Sequence, residues 1–304
     1  MANVLRIFDV SNIIKRGYIN KRAIINGGIV KTAKGYKSLF IPSGGISFLF
    51  RMIKQHNHDT LAFCCDRTPD FKRDIMSSYK SGGGNSFTED VKQNIDIQLK
   101  VVEEILKDCS YPVYAEEHYE ADDLIYSLVK RYHDDFDHIY IHTTDSDVQF
   151  LVDDKVSIGL VGNAGKEVTR ENYEYTVISN KVVPYNTRLT EKMFHGGKDG
   201  IPALRKDLQV ELQDYLYCND FSKQNCGNKE FVLNIIKEFV PEAEQQALIT
   251  FPLDAPINGD VHMRPQIDKV NTWGFLVGCR DYPPVQKISD DINALKKTFF
   301  DALA

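Results

Sequence analysis

The sequence predicts an α/β fold: a central, mainly parallel sheet with flanking helices, followed by a mainly helical C-terminal portion. Three observations lead there. Short apolar runs alternate with helix-period segments through the first half of the chain. Several of those runs end in an aspartate. Beyond residue 185 the texture changes to helical spacing interrupted by prolines. Strands separated by helices return to the sheet in the same direction, which makes the sheet parallel.

The elements follow in chain order. Val4–Phe8 reads as a short apolar strand ending at Asp9. Ser43–Gln55 carries Ile46, Phe48, Leu49, Met52 and Ile53 at helical spacing. Thr60–Cys65 is an apolar strand ahead of Asp66, and Glu89–Leu106 is a long amphipathic helix with Val91, Ile95, Leu99, Val102 and Ile105 along one face. Tyr111–Tyr114 is a short strand, Ala121–Tyr132 a helix, and His138–His142 a strand leading to Asp145 and Asp147. Val148–Leu151 begins a further helix, and Val156–Leu160 is again strand-like. Residues about 80–90 are expected to form a mobile loop or arch, because Gly82, Gly83 and Gly84 flanked by small polar residues cannot nucleate regular structure. Leu208–Leu216, Phe231–Phe239 and Ile292–Leu303 have helical spacing, with Pro252, Pro256, Pro265, Pro283 and Pro284 between them. The expected division is 1–185 and 186–304.

Composition narrows the class. The chain has 304 residues, 42% hydrophobic and 26% charged, enough apolar material for a core and too much for a disordered or collagen-like chain. The longest apolar runs, such as Ile46–Phe50 and Leu61–Cys65, are too short to span a bilayer. The N-terminus lacks a charged segment followed by a long apolar one, so a cytoplasmic location in the host cell is expected. The six cysteines form no CxxC pair and fit no zinc spacing, so they read as free thiols in a reducing compartment. The net charge of −6 does not itself point to a polyanion, but a metal-binding acidic cluster can mask a basic stripe elsewhere.

The acidic residues carry the functional signal. Ligands of open α/β sheets bind outside the carboxyl ends of the strands. Asp9, Asp66 and Asp145 each follow a strand, and Asp147 lies two residues beyond. Glu120, Asp122 and Asp123 stand at the start of a helix, where charge alone would complement the helix N-terminus. Glu120 and Asp123, three apart, share a face that leaves Asp122 pointing sideways. Together these are carboxylates from four separated segments directed to one crevice, where their repulsion calls for cations. Oxygen-only ligands suit Mg²⁺ or Mn²⁺, and two such ions about 4 Å apart would serve phosphodiester hydrolysis.

The segments Glu-Ala-Asp-Asp-Leu-Ile from Glu120, Ile-Tyr-Ile-His-Thr-Thr-Asp-Ser-Asp-Val-Gln-Phe-Leu from Ile139, and Phe-Lys-Arg-Asp-Ile-Met-Ser-Ser-Tyr-Lys from Phe71 resemble the 5′-nuclease family. That family includes the 5′–3′ exonuclease domains of bacterial DNA polymerases, flap endonucleases and bacteriophage RNase H-type nucleases. The resemblance covers residues 4–160 and, more weakly, 190–202. It implies a PIN-like (resolvase-like) nuclease domain that binds two Mg²⁺ ions, with Mn²⁺ able to substitute, and cuts near 5′ ends. By position, Asp9, Asp66, Glu120 and Asp122 look like ligands of the first metal, with Asp145 and Asp147 shared with or belonging to the second. Asp123 matches an acidic position of the bacterial and phage branch, so Asp122 and Asp123 both stay as candidates. The implied partners are DNA with a 5′ flap, nick or RNA primer, and a replication single-strand-binding protein. With no fused polymerase, the chain looks bacteriophage-encoded.

Arg67, Lys72, Arg73, Tyr79 and Lys80 lie between Asp66 and the glycine tract. Positive charge beside an acidic crevice is useful for a polyanion. The resemblance points Lys80 at the scissile phosphate as an electrostatic stabiliser, and Tyr79 at a terminal base for stacking. Lys80 and Asp145 are thus the expected catalytic residues, and all five are expected DNA contacts. Lys92 and Lys100 add positive charge on the long helix.

One block departs from the family pattern of Gly-Asp-x-x-Asp-Asn-Ile-Pro-Gly. Here the stretch reads His195-Gly-Gly-Lys-Asp-Gly-Ile-Pro-Ala203, so Gly196 stands at the first aspartate and Asp199 matches the second. The Gly-x-Gly of the following helix-hairpin-helix is replaced by Leu204-Arg205-Lys206-Asp207. Either the second metal binds weakly, or Asp199 or His195 is recruited to it. Two other readings stay open: a weakened family member that grips branched DNA, and a PIN-type ribonuclease acting on single-stranded RNA.

Overall fold

The computed structural model describes residues 2–19, 28–32, 35–39, 43–80, 89–145, 147–148, 151–160, 167–169, 175–178, 181–184 and 251–277. Their elements are β1 (Val4–Asp9), α1 (Val10–Ile19), β2 (Gly28–Thr32), β3 (Gly35–Leu39), α2 (Ser43–Gln55), β4 (Thr60–Cys64), α3 (Asp70–Ile75), α4 (Glu89–Asp108), β5 (Val113–Tyr114), α5 (Ala121–Tyr132), β6 (His138–Thr143), β7 (Val156–Leu160), β8 (Glu167–Val168), β9 (Tyr175–Ile178), β10 (Lys181–Pro184) and α6 (Ile267–Leu276).

The central sheet has the order β5-β4-β1-β6-β7-β8. Its first five strands are parallel, and β8 pairs antiparallel with β7 at one edge. β2–β3 and β9–β10 are separate antiparallel pairs. β1 is central and buried on both faces, as strands of a covered parallel sheet are. Leu5 and Ile7 join a core with Leu124, Ile125 and Leu128 of α5. Phe8 joins a second core with Ile13 and Ile14 of α1, Leu49 of α2 and Val102 of α4. At about 1.5–3 kcal/mol per large apolar side chain withdrawn from water, these two layers hold the sheet between its helices.

Register then lines up the strand ends. Asp9 pairs with Cys64, two residues before Asp66. Phe8 pairs with His142, three residues before Asp145. In a parallel sheet this brings all three acidic positions to one edge.

The structure departs from the sequence expectation in several places. Only Val113 and Tyr114 of the Tyr111–Tyr114 run pair in the sheet. Pro112 has no N–H to donate, although its carbonyl accepts from Phe63 N–H at 3.0 Å. Val148–Leu151 shows a turn at Val148, closed by Leu151 N–H on Val148 O at 3.1 Å, with 149 and 150 outside the described residues. The helix α1 was missed, although Asp9 followed by Val10, Ile13 and Ile14 is a capped amphipathic start. The glycine tract lies outside the described residues, as do Leu208–Leu216, Phe231–Phe239 and Ile292–Leu303.

Residues 251–277 pack on the sheet domain. Phe251, Ala255 and Val261 join the α5 core, while Val270 and Trp273 of α6 join the core containing α1, α2 and α4. Trp273 Nε1–H donates to Asp108 Oδ2 at 2.8 Å, and Lys269 Nζ reaches Asp108 Oδ1 at 2.6 Å. Among the described residues no helix is long and apolar enough to cross a membrane. Cys64, Cys65 and Cys109 are free and buried.

Candidate metal centre

Each acidic residue is placed by the element that ends or begins beside it. Asp9 closes β1 and caps α1: its Oδ1 accepts Asn12 N–H at 2.9 Å and its Oδ2 accepts the Thr143 hydroxyl at 2.8 Å. Burial, then the charges of Asp66 and Asp145, outweigh those two hydrogen bonds and push its carboxyl up to about 7. Asp66 follows β4. Its N–H is fixed by Ser11 Oγ at 2.9 Å, its Oδ1 accepts Ala121 N–H at 2.9 Å, and its Oδ2 meets Lys15 Nζ at 2.7 Å. Burial alone would raise Asp66, but the Lys15 ammonium and these hydrogen bonds win and hold its carboxyl below the usual range.

Asp122 lies in the first turn of α5. Burial, then Asp145, Asp9, Asp147 and Glu120, push its carboxyl well above the ordinary value. Asp145 N–H donates to Thr143 Oγ1 at 3.0 Å, and Asp145 Oδ1 accepts Asp147 N–H at 2.9 Å. Thr143 therefore ties Asp9 to the Asp145 turn. One carboxylate oxygen each from Asp122, Asp145 and Asp147 lie within 4.8 Å of one another. Neighbouring acids are thus driven in opposite directions, Asp66 down by its lysine and Asp9 and Asp122 up by burial and mutual repulsion. Buried acids driven apart in this way cluster at functional sites. The donor set is entirely oxygen, which fits hard divalent cations.

Glu120 is the N-cap of α5 and is buried. Its Oε2 accepts from Lys72 Nζ at 2.8 Å and from the Tyr79 hydroxyl at 2.9 Å, and its Oε1 meets Lys80 Nζ at 2.5 Å. Burial raises its carboxyl, and the two ammonium groups outweigh that and lower it. Lys80 has a left-handed backbone, φ 51°, rare for a non-glycine residue and found mainly where the surroundings enforce it. Its side chain is 42% exposed, so it sits at the rim with one end toward solvent.

Three sequence expectations are corrected. Asp123 does not face the crevice. Its Oδ2 accepts Glu120 N–H at 3.0 Å, while its Oδ1 accepts Leu253 N–H at 2.6 Å and pairs with Lys72 at 3.2 Å. The spacing of Glu120 and Asp123 reflects a capping box at the helix start, not a ligand face, and Asp122 is the residue that joins the cluster. Lys72 is buried between Glu120 and Asp123 rather than free for phosphate. Tyr79 is buried, its hydroxyl spent on Glu120, and it offers no ring to a base.

Arg67 is turned to α4, with Nη2 on both oxygens of Glu103 at 2.8 and 2.9 Å. Arg73 is exposed beside Asp70, 3.8 Å away. Lys92 and Lys100 are exposed on α4. His195, Gly196, Asp199 and the altered hairpin lie outside the described residues. Sequence reading missed Lys15, Arg16 and Thr143. Arg16 Nε donates to Thr144 Oγ1 at 2.9 Å. The spacing of Lys15 from the helix cap at Asp9 would have revealed that it lies nearly two turns into α1.

A parallel α/β sheet with this acidic crevice at its carboxyl edge has the PIN-like, resolvase-like nuclease architecture. Residues 4–181 match the 5′–3′ exonuclease N-terminal resolvase-like domain, more than half of the chain, and the chain belongs to that family. DNA polymerase I of Caldicellulosiruptor bescii is 24% identical over 271 residues, covering 84% of this chain and 29% of that protein. DNA polymerase I of Chloroflexus aurantiacus is 26% identical over 131 residues, 43% of this chain and 13% of that protein. The chain therefore spans less than a third of the length of these curated relatives. Among solved structures, the bacteriophage T5 flap endonuclease in a pseudo-enzyme–product complex with DNA and metal ions has a TM-score of 0.52 at 17% identity, covering 99% of each chain. The same phage's 5′-exonuclease with zinc bound has a TM-score of 0.50 at 16% identity, covering 99% of this chain and all of that one. These likenesses concern the fold.

Proposed function

We propose that the chain is a structure-specific, Mg²⁺-dependent 5′-nuclease that hydrolyses phosphodiesters at 5′ flaps, nicks or RNA primers during replication in the host cytoplasm. The observation that carries this is the convergence of Asp9, Asp66, Asp122, Asp145 and Asp147, from three strand ends and a helix start, on one crevice. Asp122, Asp145 and Asp147 would hold one Mg²⁺ or Mn²⁺ ion, and Asp9 and Asp66 would complete a two-ion site. When bound, the ions supply the Lewis acidity that phosphodiester hydrolysis needs.

The chain's own groups do the rest. Thr143 orients Asp9 and the Asp145 turn together. Lys15 keeps Asp66 ionised. Glu120, expected as a metal ligand, also holds Lys80 at the rim, where its ammonium offsets charge developing on the phosphate. Exposed Arg73 meets the backbone of the substrate. In this reading Lys72, Tyr79 and Arg67 support the site from within. A single-strand-binding protein as replication partner fits the substrate class.

A 5′-flap oligonucleotide with Mg²⁺ tests the proposal. Wild type should cut near the branch. Asp145→Ala should lose cleavage about 100-fold or more while binding the flap with little change, since a transition-state interaction is removed and the cations facing phosphate remain. Gly196, at a position where the family carries an aspartate, favours a second reading in which the protein grips branched DNA and cuts poorly. Tight flap binding without Mg²⁺-dependent cleavage by wild type would select it. Preference for a matched single-stranded RNA would select a ribonuclease instead.

A further inference from the structure

We propose that His56, His58 and Asp59 form a second cation site, for a transition-metal ion of the zinc class, at the end of the sheet opposite the acidic crevice. The three residues belong to the turn between α2 and β4. Asp59 immediately precedes β4, whereas Asp66 follows its far end. The site is therefore separate from the carboxylate cluster, and its chemistry differs.

The turn is already shaped. His56 N–H donates to Met52 O at 3.0 Å, extending α2, and Asp59 N–H donates to His56 O at 3.0 Å, closing the loop. His56 Nδ1 lies 3.5 Å from Asp59 Oδ2, and His58 Nε2 lies 3.3 Å from Asp59 Oδ1. One donor atom from each of the three lie within 4.8 Å of one another. Tetrahedral zinc with bonds of roughly 2.0–2.1 Å spaces its donors about 3.3 Å apart. Both histidine contacts are near that value, each to a different oxygen of Asp59, so a bound ion takes one oxygen and draws the second imidazole toward it.

Arg6 sets the selectivity. Its Nε donates to Asp59 Oδ2 at 2.6 Å, and its guanidinium lies over the Tyr140 ring at 4.4 Å. It orients the carboxylate as an outer-shell partner does, but it also offsets that carboxylate's charge. A hard ion such as Mg²⁺, which needs anionic oxygen, gains little here. An ion that binds imidazole nitrogen keeps two good ligands. Asn57 and Asp59 also border a cavity of about 170 Å³ shared with His262, Met263 and Arg264, which gives the Asp59 side of the turn space for solvent.

The test follows the histidine ring C–H signals of the full chain by NMR while Zn²⁺ is titrated, with Mg²⁺ as a parallel titrant. His56 and His58 should shift saturably with Zn²⁺ and not with Mg²⁺. His58→Ala alters a 58% exposed side chain and should fold normally. It should weaken the His56 response to Zn²⁺ by about tenfold or more, the scale seen even for lost outer-shell partners. Asp145→Ala should leave both signals and their Zn²⁺ response unchanged. Ring signals that do not move with Zn²⁺, an unchanged His56 affinity in His58→Ala, an equal response to Mg²⁺, or loss of the response in Asp145→Ala would each overturn the assignment.

Discussion

Asp123→Ala separates the structural carboxylate from the catalytic ones. Asp123 is 1% exposed and serves three partners: Glu120 N–H, Leu253 N–H and the buried Lys72 ammonium. Losing a helix-start acceptor costs about 1 kcal/mol. Leaving Leu253 N–H without its acceptor costs about 1–3 kcal/mol. Lys72 retains Glu120 at 2.8 Å, so its loss is a fraction of the roughly 3–5 kcal/mol of a fully broken buried pair. The expected destabilisation is about 3 kcal/mol, or a fall in Tm of about 6–12 °C for a domain of this size. Urea unfolding gives the stability, and Mn²⁺ titration of cleavage below the transition gives the metal requirement. The reasoning predicts a large loss of the first and no change in the second. A destabilisation under about 1 kcal/mol together with a tenfold rise in metal requirement would show that Asp123 is a ligand after all.

Two further outcomes follow from the same network. Lys72→Met should destabilise by less than the roughly 3–5 kcal/mol of a fully broken buried pair but by more than about 1 kcal/mol, because it takes the cation from buried Asp123 while Glu120 keeps Lys80, and urea unfolding reads this directly. A change within experimental error would mean that Lys72 is not in the interior. The second concerns pH without metal. Asp9 has a folded value of about 7 against an ordinary 3.8, so the folded state holds the proton that the unfolded chain gives up. Its contribution to stability therefore falls as pH rises through that window, by up to about 1.4 kcal/mol per pH unit. In EDTA, the stability of Asp9→Asn relative to wild type should increase from pH about 4 to about 7, and saturating Mg²⁺ should shrink the difference; a flat difference in EDTA would contradict the burial of that acid.

Much of the crevice was legible because its residues are strand ends. A short apolar run followed by Asp can be read locally, and a parallel sheet needs no further information to put Asp9, Asp66 and Asp145 on one edge. The helices α2 and α5 were legible for a similar reason, since their apolar spacing persists over several turns. What sequence spacing misassigned was side-chain direction at a helix start. Asp122 and Asp123 differ by one residue, and which one turns inward depends on Lys72 and Leu253, which are distant in sequence. Lys72 and Tyr79 looked like surface residues because a basic stretch shows no sign of the buried Glu120 48 positions later. Lys15 was invisible for the converse reason: its partner Asp66 lies 51 residues away, beyond β2, β3, α2 and β4.

The central claim is that the acidic crevice binds divalent metal through Asp122, Asp145 and Asp147, with Asp9 and Asp66 alongside. Anomalous scattering from a crystal soaked in Mn²⁺ tests this most directly. The account predicts a peak coordinated by Asp122, Asp145 and Asp147, with a second peak touching Asp9 or Asp66, and loss of the first peak in Asp145→Ala. Mn²⁺ bound elsewhere while this crevice stays empty, or a first peak unchanged in Asp145→Ala, would contradict it.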